Sequence, residues 1–215
     1  MPWPSQSRPL VFYVTDRHAF GPDEPQAAAR ILQTIARVAG ADAVQLREKD
    51  LSGRAVLELA QAAVVRAAPA QLLVNDRLDV ALAAGAAGVH LGGESLPVAE
   101  VARFRAALRP PAGILIGRSC HAADEALQAE RDGADYVFFG PVFATPSKAR
   151  FGPPQGIEAL AALCRRVHIP VIAIGGITLE NAGACTAAGA AGIAAIRLFQ
   201  ESEDVAGIVR GLKQP

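Results

Sequence analysis

The sequence predicts a single-domain (β/α)8 barrel, a TIM barrel, spanning residues 1–215. Short β-rich runs alternate with alanine- and leucine-rich amphipathic stretches, eight of each, which is the spacing of repeated βα units. The β-rich runs are nearly continuous in apolar residues, as strands covered on both faces are. The first run ends in Thr15-Asp16-Arg17-His18, without the G-x-G-x-x-G turn of an open dinucleotide-binding sheet, which is the main competing architecture.

Taken in order, the strands are expected at 10–15, 43–49, 71–75, 88–91, 114–119, 136–140, 171–175 and 192–197. The helices are expected at 24–39, 52–67, 77–85, 97–108, 122–132, 157–167, 178–188 and 203–212. Alanine fills the helical stretches, where it loses the least conformational entropy. Pro97, Pro170 and Thr178 stand where helix starts and strand entries fall. With 215 residues against about 250 in a typical barrel, the loops must be short. The longest, 141–155, follows the sixth strand, and its polar Thr145-Pro146-Ser147-Lys148 core is suited to ordering over a ligand.

Composition narrows the function classes. The 21 basic residues balance the 21 acidic ones, so no charge field points to nucleic acid or a membrane surface. The apolar runs are far shorter than a membrane span. The amino terminus shows no secretory signal pattern. Cys120, Cys164 and Cys185 lack metal or redox spacing, so reduced thiols in a cytoplasmic protein are expected. The sequence does not set the oligomeric state, and a homodimer is one expectation.

The chemistry is expected at the carboxyl ends of the strands. On the second strand Val44 and Leu46 share one face, and Gln45, Arg47 and Lys49 share the other. If the apolar face meets the helices, the polar row faces the barrel axis. Cations there are costly unless an anion meets them: either a bound ligand or a buried partner such as Asp76 or Glu48. Asn75-Asp76-Arg77 ends the third strand, as a helix cap or as a Mg²⁺ carboxylate. Ser119 and His121 share parity at the end of the fifth strand, and His121 is a candidate acid/base or a helix-capping histidine. His90 reads as a packed core residue. Gly175-Gly176 after the seventh strand permit close backbone approach, Thr178 can cap the next helix, and the free amides there suit an anion. Arg197, ending the eighth strand, adds a charge beside the same position.

These motifs resemble the thiamin phosphate synthase/TenI superfamily. The resemblance rests on Tyr13-Val14-Thr15-Asp16, Gln45-Leu46-Arg47-Glu48-Lys49, Asn75-Asp76-Arg77, Gly88-Val89-His90-Leu91-Gly92, Ala134-Asp135-Tyr136, Gly140-Pro141-Val142-Phe143, Thr145-x-Ser147-Lys148 and Ala173-Ile174-Gly175-Gly176-Ile177. The segments occur in register from residue 10 to about 200. The superfamily holds two activities. The synthase couples aminopyrimidine methyl pyrophosphate to a carboxythiazole phosphate, releasing pyrophosphate and CO₂. The TenI-type tautomerase aromatises the same thiazole by histidine-mediated proton transfer, without a metal. For a synthase the resemblance implies that Arg47, Lys49, Asn75, Ser119 and Lys148 hold the pyrophosphate. Gln45 then touches the pyrimidine, Gly176 with its neighbours holds the thiazole phosphate, and Asp76 binds Mg²⁺.

Two departures favour the tautomerase as the expected activity. Where the synthase has a second aspartate after the fourth strand, this chain reads Gly92-Gly93-Glu94-Ser95. Gly117-Arg118-Ser119-x-His121 is similar to the TenI form, with His121 in the place of its base. Asp76 and the full Gln45/Arg47/Lys49 row keep the synthase as the alternative. A serine common to the family is replaced by Arg197. A non-catalytic, regulatory phosphate-binding barrel is the third expectation, and the intact polar mouth argues against it.

Overall fold

Each apolar run pairs its backbone with the next, and the last pairs with the first, so the sheet closes without an edge. The structure, a computed structural model, describes residues 8–21, 24–38, 40–108, 113–145 and 153–214. The strands are β1 (Leu10–Val14), β2 (Ala43–Leu46), β3 (Gln71–Asn75), β4 (Gly88–Leu91), β5 (Leu115–Cys120), β6 (Tyr136–Phe139), β7 (Val171–Ile174) and β8 (Gly192–Ala195). All neighbouring pairs are parallel. The helices are α1 (Glu24–Arg37), α2 (Gly53–Ala67), α3 (Leu78–Ala84), α4 (Val98–Ala107), α5 (Ala123–Arg131), α6 (Gly156–Cys164), α7 (Leu179–Ala187), α8 (Arg197–Gln200) and α9 (Val205–Leu212). A 3-10 turn, Arg17–Phe20, follows β1. Among the described residues no helix is long and apolar enough to cross a membrane.

Alternation along the strands sorts the side chains into two cores. Val11, Tyr13, Val44, Leu46, Val74 and Val89 point outward and pack with the buried faces of the helices. Leu10, Phe12, Val14, Ala43, Leu73, Leu115, Tyr136, Phe138, Ile172 and Ala194 fill the barrel itself. Phe12 meets Phe138 edge-on, with ring centroids 5.4 Å apart, an arrangement that aromatic pairs favour.

Helix starts follow local side-chain chemistry. Ser52 caps α2 by accepting from the Ala55 amide at 3.3 Å. Thr178 and Asn181 form a reciprocal capping box on α7, at the position where the sequence places Thr178 as a cap. β1, β6 and β7 each end one residue before the expected bound, and β2, β5 and β8 depart further. The β2 ladder stops at Leu46, leaving Arg47 and Lys49 beyond it. β8 stops at Ala195, because Ile196 adopts helical torsions and turns the chain into α8. β5 is shifted onward by one residue, to Leu115–Cys120.

Gly192 marks where the inner ladder tolerates no side chain: a Cβ there would meet the Leu10 carbonyl oxygen at 2.2 Å. Gly192→Ala should lower the unfolding free energy by roughly 1–3 kcal/mol. Urea unfolding reads this as an earlier midpoint at unchanged slope. An unshifted midpoint would show that the β1–β8 pair opens freely.

Candidate active site

The lining of the barrel changes character at the carboxyl ends of its strands. On β2 to β5 the inward residues nearest the mouth are Gln45, Asn75, His90 and Ser119; their cross-strand partners lie on the same face as the inner core. On the other side Val14, Phe138, Ile174 and Ile196 continue the apolar interior. One half of the mouth is therefore polar and the other half apolar.

The polar half is wired from inside outward. The Gln45 side-chain amide donates to Asn75 Oδ1 at 2.8 Å, and the Asn75 amide donates to Asp76 Oδ2 at 2.6 Å. Asp76 Oδ1 accepts from the Gly92 amide at 3.2 Å and from the Ser95 hydroxyl. Asp76 has a φ of 62°, a left-handed conformation uncommon outside glycine, which costs of order 1 kcal/mol and clusters at functional sites. The helix-capping alternative for Asn75 and Asp76 does not hold. α3 begins after Arg77 with no side-chain cap, because both side chains turn into the mouth instead.

Arg47 is half-buried and Lys49 exposed. A Cβ on Gly92 would meet Ser95 Oγ at 3.6 Å, Asp76 Oδ1 at 3.7 Å and Lys49 Nζ at 3.8 Å, so these three groups surround one point. Neither Arg47 nor Lys49 forms an ion pair among the described residues. Glu48, one of the two carboxylates that might have neutralised them, faces the opposite way and bonds to Thr15 and Arg17. Burial pushes the Glu48 carboxyl up, against the downward pull of the Thr15 hydroxyl and of the Arg17 amide and guanidinium. Among the described residues no group of three or more His, Cys, Asp or Glu side chains is arranged to hold a metal. Asp76 nonetheless fits Mg²⁺, which is commonly held by one or two carboxylates together with substrate phosphates.

His90 is buried in the interior. Its Nδ1 lies 2.9 Å from the Tyr136 hydroxyl and its Nε2 lies 2.8 Å from Ser119 Oγ. Phe138 packs against it with centroids 4.3 Å apart. Burial pulls its pKa down to about 3, opposed by Asp76 and reinforced by Arg118, Arg47 and Lys49. The ring is therefore a neutral brace behind Ser119.

His121 is exposed, immediately after β5. Its Nδ1 donates to the Gly140 carbonyl at the end of β6, and its backbone amide donates to Glu125 at 2.6 Å. A proton on Nδ1 leaves the Nε2 lone pair available as a base. The neighbouring Cys120 is buried and its thiol is pushed up to about 12 by burial, so it is not a reactive thiolate.

At the opposite side, Gly175 and Gly176 have φ of 96° and 67°. A Cβ on Gly175 would meet Pro141 Cα at 2.6 Å, and one on Gly176 would meet the Ala144 carbonyl oxygen at 2.6 Å. The two glycines thus let the loops after β6 and β7 touch. The Thr178 amide is already used by Asn181 at 2.8 Å, which narrows the amides free for an anion. Arg197 opens α8 instead of ending β8, and its guanidinium pairs with Glu201 at 2.6 Å. Thr145 lies at the described end of the β6 loop, whose flanks are joined by the Gln155 amide on the Pro141 carbonyl at 2.8 Å. Ser147 and Lys148 lie outside the described residues. Tyr136, Ser95 and Arg118, which donates to the Gly92 carbonyl, also join the site. The roles of Tyr136 and Arg118 depend on cross-strand neighbours and leave little trace in sequence spacing, whereas Ser95 is legible in the sequence as the residue standing where the synthase has its second aspartate.

Comparison with known proteins follows this geometry. The model of a family described as thiamine monophosphate synthase matches residues 11–199. A thiamine-phosphate synthase of Moorella thermoacetica is 48% identical over 177 residues, covering 81% of this chain and 82% of its own. One from Roseiflexus castenholzii is 41% identical over 214 residues, covering 99% and 90%. The solved structure of a thiamine phosphate pyrophosphorylase from Pyrococcus furiosus superposes with a TM-score of 0.78 at 33% identity, covering 94% and 93%.

The neutral His90 predicts a pH dependence. The unfolded chain takes up a proton near 6.5 that the folded protein refuses until about 3. This contribution to stability is complete above 6.5 and is lost progressively as the pH falls toward 3. Urea midpoints of the wild type should therefore decline across that window more steeply than those of His90→Asn. Equal slopes would mean that folded His90 is already charged.

Proposed function

The chain belongs to the thiamine monophosphate synthase family, and on that premise we propose that it is a thiamin phosphate synthase. It couples an aminopyrimidine methyl pyrophosphate to a carboxythiazole phosphate, giving thiamin phosphate, pyrophosphate and CO₂. The observation that carries this reading is the pair Arg47 and Lys49, without an ion-pair partner among the described residues, with the Lys49 ammonium and the Asp76 carboxylate converging on Gly92. A diphosphate supplies the anion that such a cationic site lacks. The synthase names of relatives at 48% and 41% identity weigh the same way, and reverse the preference for the tautomerase drawn from Ser95 and His121.

In this reading the substrates divide the mouth between them. The diphosphate lies on the polar half, against Arg47, Lys49, Asn75 and Ser119, and the family resemblance adds Lys148 to this set. Gln45 meets the pyrimidine edge. Ile174 and Ile196, half-buried and backed by the buried Val14 and Phe138, offer the flat heterocycles an apolar wall. The thiazole phosphate lies at the Gly175-Gly176 turn. The thiazole nitrogen bonds to the pyrimidine methylene carbon as the carbon–oxygen bond to diphosphate breaks, and the cations stabilise the charge left on the departing group. The bond from the thiazole ring to its carboxylate breaks to release CO₂, and that ring carbon takes a proton in its place. Asp76 would hold Mg²⁺ together with diphosphate oxygens, and the ion, when bound, offsets part of that charge.

A second reading, the thiazole tautomerase, is favoured by His121, whose Nδ1 bond to Gly140 leaves Nε2 as a base. The two are separated by incubating the protein with the unaromatised thiazole, alone and with the pyrimidine pyrophosphate and Mg²⁺. Thiamin phosphate should form only in the complete mixture and should disappear with a chelator. Arg47→Met should lower turnover about 10²-fold. An aromatised thiazole without coupling at any Mg²⁺ concentration would establish the tautomerase instead. Phosphate-ligand binding without turnover of either kind would favour the regulatory barrel.

His121→Gln provides the second measurement. Under the synthase reading, coupling of the pre-aromatised thiazole should change by less than about ten-fold. Loss of aromatisation by 10²–10⁴-fold would identify His121 as the tautomerase base, since general base catalysis contributes roughly that much.

A further inference from the structure

The cations of the diphosphate site stand on a segment with no place in the ladder. The β1–β2 register ends at Val14 opposite Gln45, and the β2–β3 register ends at Leu46 opposite Val74. Arg47, Glu48, Lys49 and Asp50 come after both. Backbone pairing along the strands therefore does not hold these residues in place.

A set of side chains on the outer face does. Thr15 Oγ1 accepts from the Arg47 amide at 2.9 Å and donates to Glu48 Oε1 at 2.5 Å. Glu48 Oε2 accepts from the Arg17 amide at 3.1 Å and lies 3.5 Å from the Arg17 guanidinium. Arg17 also forks onto both oxygens of Asp50, with Nη2 to Oδ2 at 2.6 Å, and His18 Nε2 lies 3.1 Å from Oδ2. The side chains of Glu48 and Arg17 are 1% and 6% exposed, so this is an interior polar network.

We infer that Thr15, Glu48 and Arg17 are positioning residues that aim Arg47 and Lys49 at the diphosphate. Past Leu46 the chain leaves the strand and turns at Lys49 and Asp50. Anchoring Glu48 and Asp50 on the outer face holds the Arg47 backbone and the turn in one arrangement, in which the Lys49 ammonium lies at Gly92 on the mouth. The same contacts neutralise Glu48 with Arg17, so neither Arg47 nor Lys49 loses its charge to the carboxylate lying between them in sequence. Stability alone does not explain the arrangement. A buried ion pair is commonly matched or exceeded by apolar residues of similar volume, and its better-attested use is to impose one defined arrangement. Thr15 ties the clamp to the end of β1, and the Arg17–Phe20 turn carries its other half.

The inference rests on the diphosphate reading, and the test separates the two. Binding of inorganic pyrophosphate and of inorganic phosphate, with Mg²⁺, is measured by calorimetry on the full chain. The wild type should bind pyrophosphate, and Arg47→Met should lose it. Thr15→Val removes the hydroxyl at nearly constant volume and should weaken pyrophosphate about ten-fold or more. It should raise KM for the pyrimidine pyrophosphate while leaving KM for the thiazole phosphate within about two-fold. Thr15→Ser should restore both values, which a general loss of packing would not allow. If Thr15→Val does not fold, Asp50→Asn applies the same test from the half-exposed end of the clamp. Pyrophosphate affinity unchanged in Thr15→Val, or in Asp50→Asn where that variant stands in, overturns the positioning role while the diphosphate site survives. No pyrophosphate binding by the wild type overturns the site and the clamp together.

Discussion

In a closed ladder every strand commits one set of alternate side chains to an interior just wide enough for side chains to fill, and the register between neighbours makes that choice for all strands at once. That constraint accounts for the two apolar clusters, one inside the strands and one between strands and helices. It also accounts for the glycines at Gly88 and Gly192, where a Cβ would strike the backbone of the neighbouring strand. Polar side chains inside such a barrel have no protein solvent to turn to. They survive only by bonding to one another, as in Gln45–Asn75–Asp76, or by lying where a ligand completes them.

The site follows from where the constraint relaxes. At the carboxyl ends the ladder stops, the inner face widens into the mouth, and polar groups gather on β2 to β5. The other strands remain apolar. That division suits substrates with a heterocycle at one end and phosphates at the other. His90 belongs to both regimes. It is packed like a core residue against Phe138, yet it spans Tyr136 and Ser119 and so supports the Ser119 hydroxyl from behind.

Electrostatic organisation depends on faces more than on proximity in sequence. Glu48 lies between Arg47 and Lys49 in the chain and is their nearest carboxylate in sequence, but in the fold it belongs to Arg17. Asp76, 27 residues beyond Lys49 in sequence, is the carboxylate that converges with it near Gly92. The same reasoning separates Arg197, engaged with Glu201 on α8, from the strand-two cations at the polar half of the mouth.

The alternation of apolar runs and amphipathic stretches was sufficient to determine the barrel, because period and spacing are local properties that βα closure reads directly. Alternation also determined that Gln45 faces the interior, and motif chemistry pointed to the strand ends and loops of β2, β3, β5, β6 and β7. The sequence could not tell how far each ladder extends. That is set by the neighbouring strand, and it moved Arg47 and Lys49 off β2 and Arg197 onto a helix. Nor could it assign partners between neighbouring strand ends: Asp76 as a mouth carboxylate instead of a cap, His121 held by Gly140, Glu48 bound to Thr15 and Arg17. Those pairings join residues far apart in sequence, and the parallel pairing of β1 with β2, β3 with β4 and β5 with β6 brings them within bonding distance.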